Sequence, residues 1–148
     1  MSNWTSITAD NLKSWTRGEV IDAATTVGTG SGNVVEECIA AAVSRVRRAV
    51  ATGNTLDADT TKVPNSLVDL TCRIAIYALM RRIRFPMTDD EKSGERGDQS
   101  DLNRIADDEV KVELADTPGG SAEMQKGNIV QTVGHVRQQT SREKLRGL

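Results

Sequence analysis

The stretch from Pro64 to Phe85, PNSLVDLTCRIAIYALMRRIRF, constrains the rest of this chain because it is apolar on almost every side of a helix. Leu67, Leu70, Ile74, Tyr77 and Ala78 recur at the three-and-four spacing of one helical face, while Val68, Cys72, Ile76, Leu79, Met80 and Ile83 cover most of the remainder. A helix of that kind has to be surrounded, so the spacing predicts a central helix over 64–85. Proline suits its first position, where an N–H would have no intrahelical partner, and Arg81, Arg82 and Arg84 complement the exposed carbonyls of its last turn.

The material available to surround it is small. Of 148 residues, 37% are hydrophobic but only 3% aromatic, namely Trp4, Trp15, Tyr77 and Phe85, so the core must be built from aliphatic side chains and alanine. That length makes one domain with a modest core, and a marginal monomer is expected. Arg73 and Arg81 interrupt the best apolar run, and the N-terminus lacks the basic-then-apolar order of a signal peptide. The expectation is a soluble protein made in a cytoplasm, without contact to a membrane. Cys38 and Cys72 fall on buried-looking helical faces with no CxxC spacing and no paired histidines, which predicts free core thiols rather than a disulfide or metal site.

Around the central helix the local signals are legible in order. Thr8 is placed to cap a short helix carrying Leu12 and Trp15, and TRGE (16–19) has the form of a capping box opening a second, EVIDAATTV. Ile7, Leu12, Trp15, Val20 and Ile21 are expected to pack on the central helix. GTGSGN (28–33) looks like a phosphate-cradling loop, but no strand precedes it and no Lys-Ser/Thr follows, so it reads as an interhelical connection. Asn33 then caps a helix over 34–52, with Val35, Ile39, Ala42, Val43, Val46 and Val50 as its apolar stripe and Arg45, Arg47 and Arg48 projecting elsewhere. This helix is expected to lie antiparallel to the central one, with Ile39, Val43, Val46, Leu70, Ile74 and Tyr77 between them.

After Phe85-Pro86 the chain must turn, and Thr88 to Glu91 forms another capping box opening a marginal acidic helix. VKVEL (110–114) alternates and suits a short strand or extended segment. The remainder is too polar to make its own core. The predicted class is therefore mainly α: a small helical bundle around the central helix, residues 1–112, followed by an extended, partly β or irregular C-terminal arm over 113–148. The arm carries Ile129, Val130, Val133, Val136, Leu145 and Leu148 at intervals, with Arg137, Arg142, Lys144 and Arg146 among them. These are anchors without a core, so from about Asp116 the arm is expected to be disordered in a free subunit and ordered on a partner's surface.

The net charge of −2 conceals a sorting by segment: residues 33–87 hold eight Lys/Arg against five Asp/Glu, residues 88–113 four against ten, and the last 35 five against three. Such runs read either as solvated faces or as surfaces that meet partners or one another. The arginines at 45–48 and 81–84 raise the alternative of a small helical DNA-binding module, against which stand the net negative charge and the absence of a recognition helix. Catalysis has no constellation to stand on, since the lone His135 lies in the tail and the acidic pairs Asp89-Asp90 and Asp107-Asp108 have no fixed companion; no enzyme activity, cofactor or metal is expected.

Several pieces taken in order resemble the head-tail joining proteins (connectors or adaptors) of tailed bacteriophages, in particular the small Mu-like family. They are ITADNL, EECIAAAVSRVRRAV, PNSLVDLTCRIAIYALM, LNRIADDEVKVEL and the terminal HVRQQTSREKLRGL. The resemblance implies a structural virion subunit made in the bacterial host, forming a homo-oligomeric ring of about twelve copies at the head-tail interface. Its implied partners are the portal protein and a tail, stopper or terminator protein, with DNA passing through unread. In such a ring Asp89, Asp90, Glu91, Asp107, Asp108 and Glu109 are candidate channel-lining residues, because a negative wall lets a duplex slide without sticking.

Overall fold

Helix α4 (Val68–Arg82) holds the interior of the computed structural model, which describes residues 1–27 and 33–119. Before it come strand β1 (Trp4–Ser6), helices α1 (Ala9–Lys13), α2 (Gly18–Val27) and α3 (Val34–Val50), strand β2 (Lys62–Pro64) and a 3-10 turn (Asn65–Leu67); helix α5 (Asp89–Ala106) follows. The architecture is mainly helical. Helix α4 buries Leu70, Thr71, Cys72, Ile74, Ala75, Ile76, Leu79 and Met80 against its neighbours. Helix α3 is its main partner and runs antiparallel to it, as the 2.5 Å ion pair between Glu37 near the start of α3 and Arg82 at the end of α4 fixes. Ile39, Val43, Val46, Leu70 and Ile74 are buried, whereas Tyr77 is half-buried.

The local caps follow the chemistry of their residues. Thr8 precedes α1, and its N–H donates to the Asn11 side-chain oxygen at 2.8 Å. Asn33 precedes α3 and accepts from the Glu36 N–H at 3.5 Å. Thr88 and Glu91 form the reciprocal box at the start of α5, at 3.2 and 2.7 Å. The box read at Thr16 does not form: α2 starts at Gly18, and the Thr16 hydroxyl turns to the Arg17 carbonyl at 3.4 Å.

The central helix is shorter at both ends than its composition suggests. Pro64, expected as the first helical residue, sits in β2 with ψ 141° and lies opposite Trp4 in an antiparallel pair whose other partners are Thr5 with Val63 and Ser6 with Lys62. The strand pairing of Pro64 postpones the helix, and the N–H groups that follow, which have no partner within a first turn, are satisfied by other parts of the chain. The Asn65 N–H donates to the Asn3 carbonyl at 2.9 Å, and the Ser66 N–H and hydroxyl donate to the Glu113 carboxylate at 3.0 and 2.6 Å. At the other end Arg84 takes a left-handed φ of 56°, its N–H bonding the Arg81 carbonyl at 3.2 Å and the Phe85 N–H the Met80 carbonyl at 2.8 Å. This double closure satisfies the last carbonyls and ends the helix at Arg82 rather than Phe85. Asp108 (φ 58°) closes α5 in the same way, with Asp108 N–H to Ile105 and Glu109 N–H to Arg104.

Helix α5 runs unbroken through Gly94 and Gly97, more regular than a marginal helix. Its Leu102 and Ile105 are buried, as is Asp98 one turn earlier on the same face. Gly94 belongs to that face too: a Cβ there would lie 2.8 Å from the Tyr77 hydroxyl oxygen, so glycine lets the two helices approach. At the N-terminus the buried tryptophan is not the one that spacing suggests. Trp15, expected inside, is 45% exposed, with the Arg73 Cζ 5.6 Å from its ring centroid, whereas Trp4 is 1% exposed. Ile7, Leu12 and Val20 are buried and Ile21 packs at the margin of the core. Cys38 and Cys72 are buried free thiols; burial raises both pKa values, that of Cys72 to about 11.

Residues 110–114 pair with no strand; Val110 and Val112 rest on the core while Leu114 is 78% exposed. No helix of the described residues is long and apolar enough to cross a membrane. The glycine stretch 28–32 and residues 120–148 lie outside the described residues, and with the latter Ile129, Val130, Val133, Val136, Arg137, Arg142, Lys144, Leu145, Arg146 and Leu148.

Two substitutions test this packing. A Cβ at Gly97 meets nothing within 4 Å, so Gly97→Ala should raise stability by about 0.5–1 kcal/mol in urea denaturation by removing unfolded-state freedom; a loss of stability would mean that α5 is not helical there. Ile74→Asp should unfold the subunit, since an unpaired buried carboxylate costs several kcal/mol, on the order of the stability of a small domain.

Candidate functional site

The base of the bundle is closed by a guanidinium. Arg47 lies in the last turn of α3, three residues before Val50 and four after Val43, which brings it onto the apolar side of the helix rather than the solvated one. It is 8% exposed, correcting the expectation that it projects outward. Its Nη1 donates to the carbonyls of Asp59 (2.9 Å) and Lys62 (2.7 Å) and its Nη2 to that of Asp57 (2.6 Å), while its Cζ lies 5.5 Å from the centroid of the Trp4 ring. Burial lowers its pKa, against the opposing pull of Asp57 and Asp59. A single side chain thus fixes the loop between α3 and β2.

Two carboxylates extend this closure to residues 113–119. Asp57 accepts from the N–H of Thr117 and of Asp59, each at 2.9 Å, which lowers its pKa. Asp116 accepts from the Ser2 hydroxyl (2.6 Å) and the N–H groups of Asn3 (2.9 Å) and Trp4 (3.0 Å), with the same consequence. The Trp4 indole N–H donates to the Glu113 carbonyl at 3.1 Å. The Ala58 N–H bonds the Thr117 carbonyl at 2.7 Å and the Gly119 N–H the Leu56 carbonyl at 2.9 Å. Residues 113–119, expected to begin the arm, are therefore fastened to the body as far as Gly119, the last described residue.

Beside this closure lies an open groove of about 910 Å³ along the outer side of α3. Ile39 and Val43 form its floor; Ile7 and Ala9 lie on one side, and Leu56 and Thr60 of the connection on the other. Glu36 lies at one end of it and Arg48 and Ala51 at the other, Glu36 and Ala51 being about 22 Å apart along the helix at 1.5 Å per residue. The groove exists because α1 is short and the 51–61 connection is held to the end of α3 by Arg47, so neither covers the helix.

The remaining charges are largely paired. Arg73 grips Asp98 through Nε and Nη2 at 2.9–3.1 Å, a contact that raises the Arg73 pKa and holds a carboxylate only 6% exposed. Arg45 donates to Gln99, Arg81 pairs with Glu95 at 2.6 Å, and Arg82 pairs with Glu37. Arg17 pairs with Glu91 at 3.1 Å and stacks on Phe85 at 5.3 Å. Most of the arginines behind a DNA-binding reading are thus engaged within the fold. Of the acidic residues named as channel candidates, Asp89, Asp90 and Glu91 begin α5, and Asp107, Asp108 and Glu109 follow its end, about 27 Å away along the helix. Glu91 is committed to its cap and to Arg17; Asp89 pairs with Lys92 at 3.1 Å and Glu109 with Arg104 at 3.3 Å. No cluster of His, Cys, Asp and Glu among the described residues could hold a metal ion.

The roles of Trp4, Asp57, Asp98, Glu113 and Asp116 escape a reading by sequence. Asp98 carried one signal, its place four residues before Leu102 and seven before Ile105 on the only apolar face of α5. The others act through contacts distant in the chain.

Replacing Arg47 by Ala should cost about 3 kcal/mol or more in urea denaturation, because the carbonyls of Asp57, Asp59 and Lys62 lose the guanidinium that joins them and that of Asp57 is buried; a change under 1 kcal/mol would remove Arg47 from its structural role. Asp57 and Asp116 have folded-state pKa values below those of the unfolded chain. Their contribution is therefore fully present above the unfolded carboxylate range of about pH 4 and is lost as pH falls through the lower folded values. An Asp57→Asn/Asp116→Asn variant should be less stable at pH 7 and should show a shallower fall in stability below pH 4, followed by tryptophan fluorescence; an unchanged slope would contradict this.

Among known proteins, no curated sequence and no solved structure matches the chain. The family model described as bacteriophage Mu, Gp36 matches residues 6–131, a span that takes in every helix and both strands except the first residues of β1. A match over that much of the chain shows its kinship, and the protein belongs to the bacteriophage Mu Gp36 family and is a phage protein.

Proposed function

We propose that the chain is a structural subunit of the phage virion that builds a ring of about twelve copies between the portal and a tail-side stopper or terminator protein. Membership of a phage family agrees with the reading, as does the resemblance of its ordered segments to head-tail connectors. The observation that carries it is the pairing of a tightly closed body with two features left over. One is the open groove along α3; the other is the chain beyond Gly119, whose apolar anchors have no core of their own. A cyclic head-to-tail contact needs two different surfaces on each subunit, and these are two.

The role is structural, with no catalysis and no cofactor. DNA passes through without sequence reading, and α5 brings its acidic ends toward the channel, where carboxylates keep phosphates from adhering. The alternative, a small DNA-binding module, is weakened by the internal pairing of Arg45, Arg47, Arg81 and Arg82.

Deletion of residues 137–148 tests the arm. Circular dichroism should be that of the full chain, while joining of DNA-filled heads to tails in a complementation assay should be abolished. Normal joining by the truncated protein would remove the arm from assembly.

A further inference from the structure

The described chain ends on the rim of its own groove. Gly119 donates its N–H to the carbonyl of Leu56, and Leu56 is one of the residues lining the groove at the end where α3 finishes. Beyond Gly119 the first apolar cluster is Ile129, Val130, Val133 and Val136. The nine residues from 120 to 128 include Gly120 and Gly127 and span at most about 30 Å when extended. That length reaches every point of a groove running about 22 Å along α3 from Glu36 to Ala51.

We infer that the α3 groove is the docking site of the same chain's segment Ile129–Val136 in the isolated subunit. Three observations meet here. The groove floor, Ile39 and Val43, is aliphatic, and so is the cluster. The chain enters at the Arg48 end, so a segment running toward the Glu36 end places Arg137, the residue after the cluster, near that carboxylate. The tether is short, and a nine-residue link holds the cluster at an effective concentration in the millimolar range, far above that of a second copy in dilute solution. The exposed groove residues Ala40 and Ser44 are small and leave room for an incoming backbone.

This rests on the reading of 120–148 as an arm and changes one part of it: before assembly the cluster is seated rather than free, and the groove and the cluster hide each other's apolar surface. Assembly then exchanges this contact for one with a partner, as in a domain swap.

The test uses the full-length protein carrying Ala40→Cys and Val133→Cys, both mild changes, with retained helicity as the folding control. Cys38 and Cys72 are buried and do not compete. Mild oxidation at low protein concentration should join the introduced thiols within one chain at least about tenfold faster than in a control pairing Asp101→Cys, on α5, with Val133→Cys. Peptide mapping identifies the bond. In a second variant, Ser44→Glu, trypsin should cleave after Arg137 at least about tenfold faster than in the unaltered protein, because a carboxylate in the groove expels the cluster. Equal rates for the two cysteine pairs would overturn the inference, and so would disulfides formed mainly between chains, which would assign the groove to another copy. If the intrachain bond forms but deletion of 137–148 leaves head-tail joining intact, the docking stands and the assembly role of the arm falls. If the deletion blocks joining and no bond forms, only the docking falls.

Discussion

One buried guanidinium sets the geometry on which the rest of this fold depends. Arg47 donates to three carbonyls of the loop that follows α3, and by fixing that loop it places β2, the turn into α4 and the docking surface for residues 113–119. A buried charge is tolerable only when its donors are matched, and here they are matched by the carbonyls of Asp57, Asp59 and Lys62. The Trp4 ring covers the guanidinium, and its backbone N–H is held by Asp116. Chain segments from near residue 4, near 57 and near 116 therefore converge on one side chain. The α3/α4 pair supplies most of the apolar burial, but without this closure its ends would have no reason to meet the N-terminus.

The same arrangement explains why the molecule is left with an open side. The connection after α3 is pulled toward the helix end, where Arg47 holds it, and α1 is only five residues long. Neither covers the outer surface of α3, so Ile39 and Val43 have a groove above them. On the other side α5 packs on α3 and α4 through Leu102, Ile105 and the Arg73–Asp98 pair, and Gly94 makes room for Tyr77. A body closed on one side and open on the other suits a subunit that repeats around an axis.

What could be read from the residues was local or periodic. The apolar spacing of α3 and α4 gave both helices and their pairing, and the short-range chemistry of Thr8, Asn33 and Thr88 gave three helix starts, because each cap acts within four residues. What escaped was long-range. No spacing tells that KVP and WTS pair as a sheet, since three-residue strands carry almost no pattern. Pro64 has the same ring and the same missing N–H in a strand end as in a first helical turn, and Asn3 and Glu113, which claim the following donors, are far away in the chain. Arginine in a basic run reads as solvated, although the helical phase already placed Arg47 between Val43 and Val50. Trp15 and Trp4 were separable only by what lay opposite them.

The proposed connector subunit is defined by how its copies associate, which electron microscopy of the purified full-length protein, alone and mixed with its cognate portal, reads directly. The expected result is closed rings of about twelve subunits stacked on the portal, with no dependence on added DNA. A protein that stays monomeric in the presence of the portal, and binds duplex DNA with an affinity that falls steeply with salt, would contradict it.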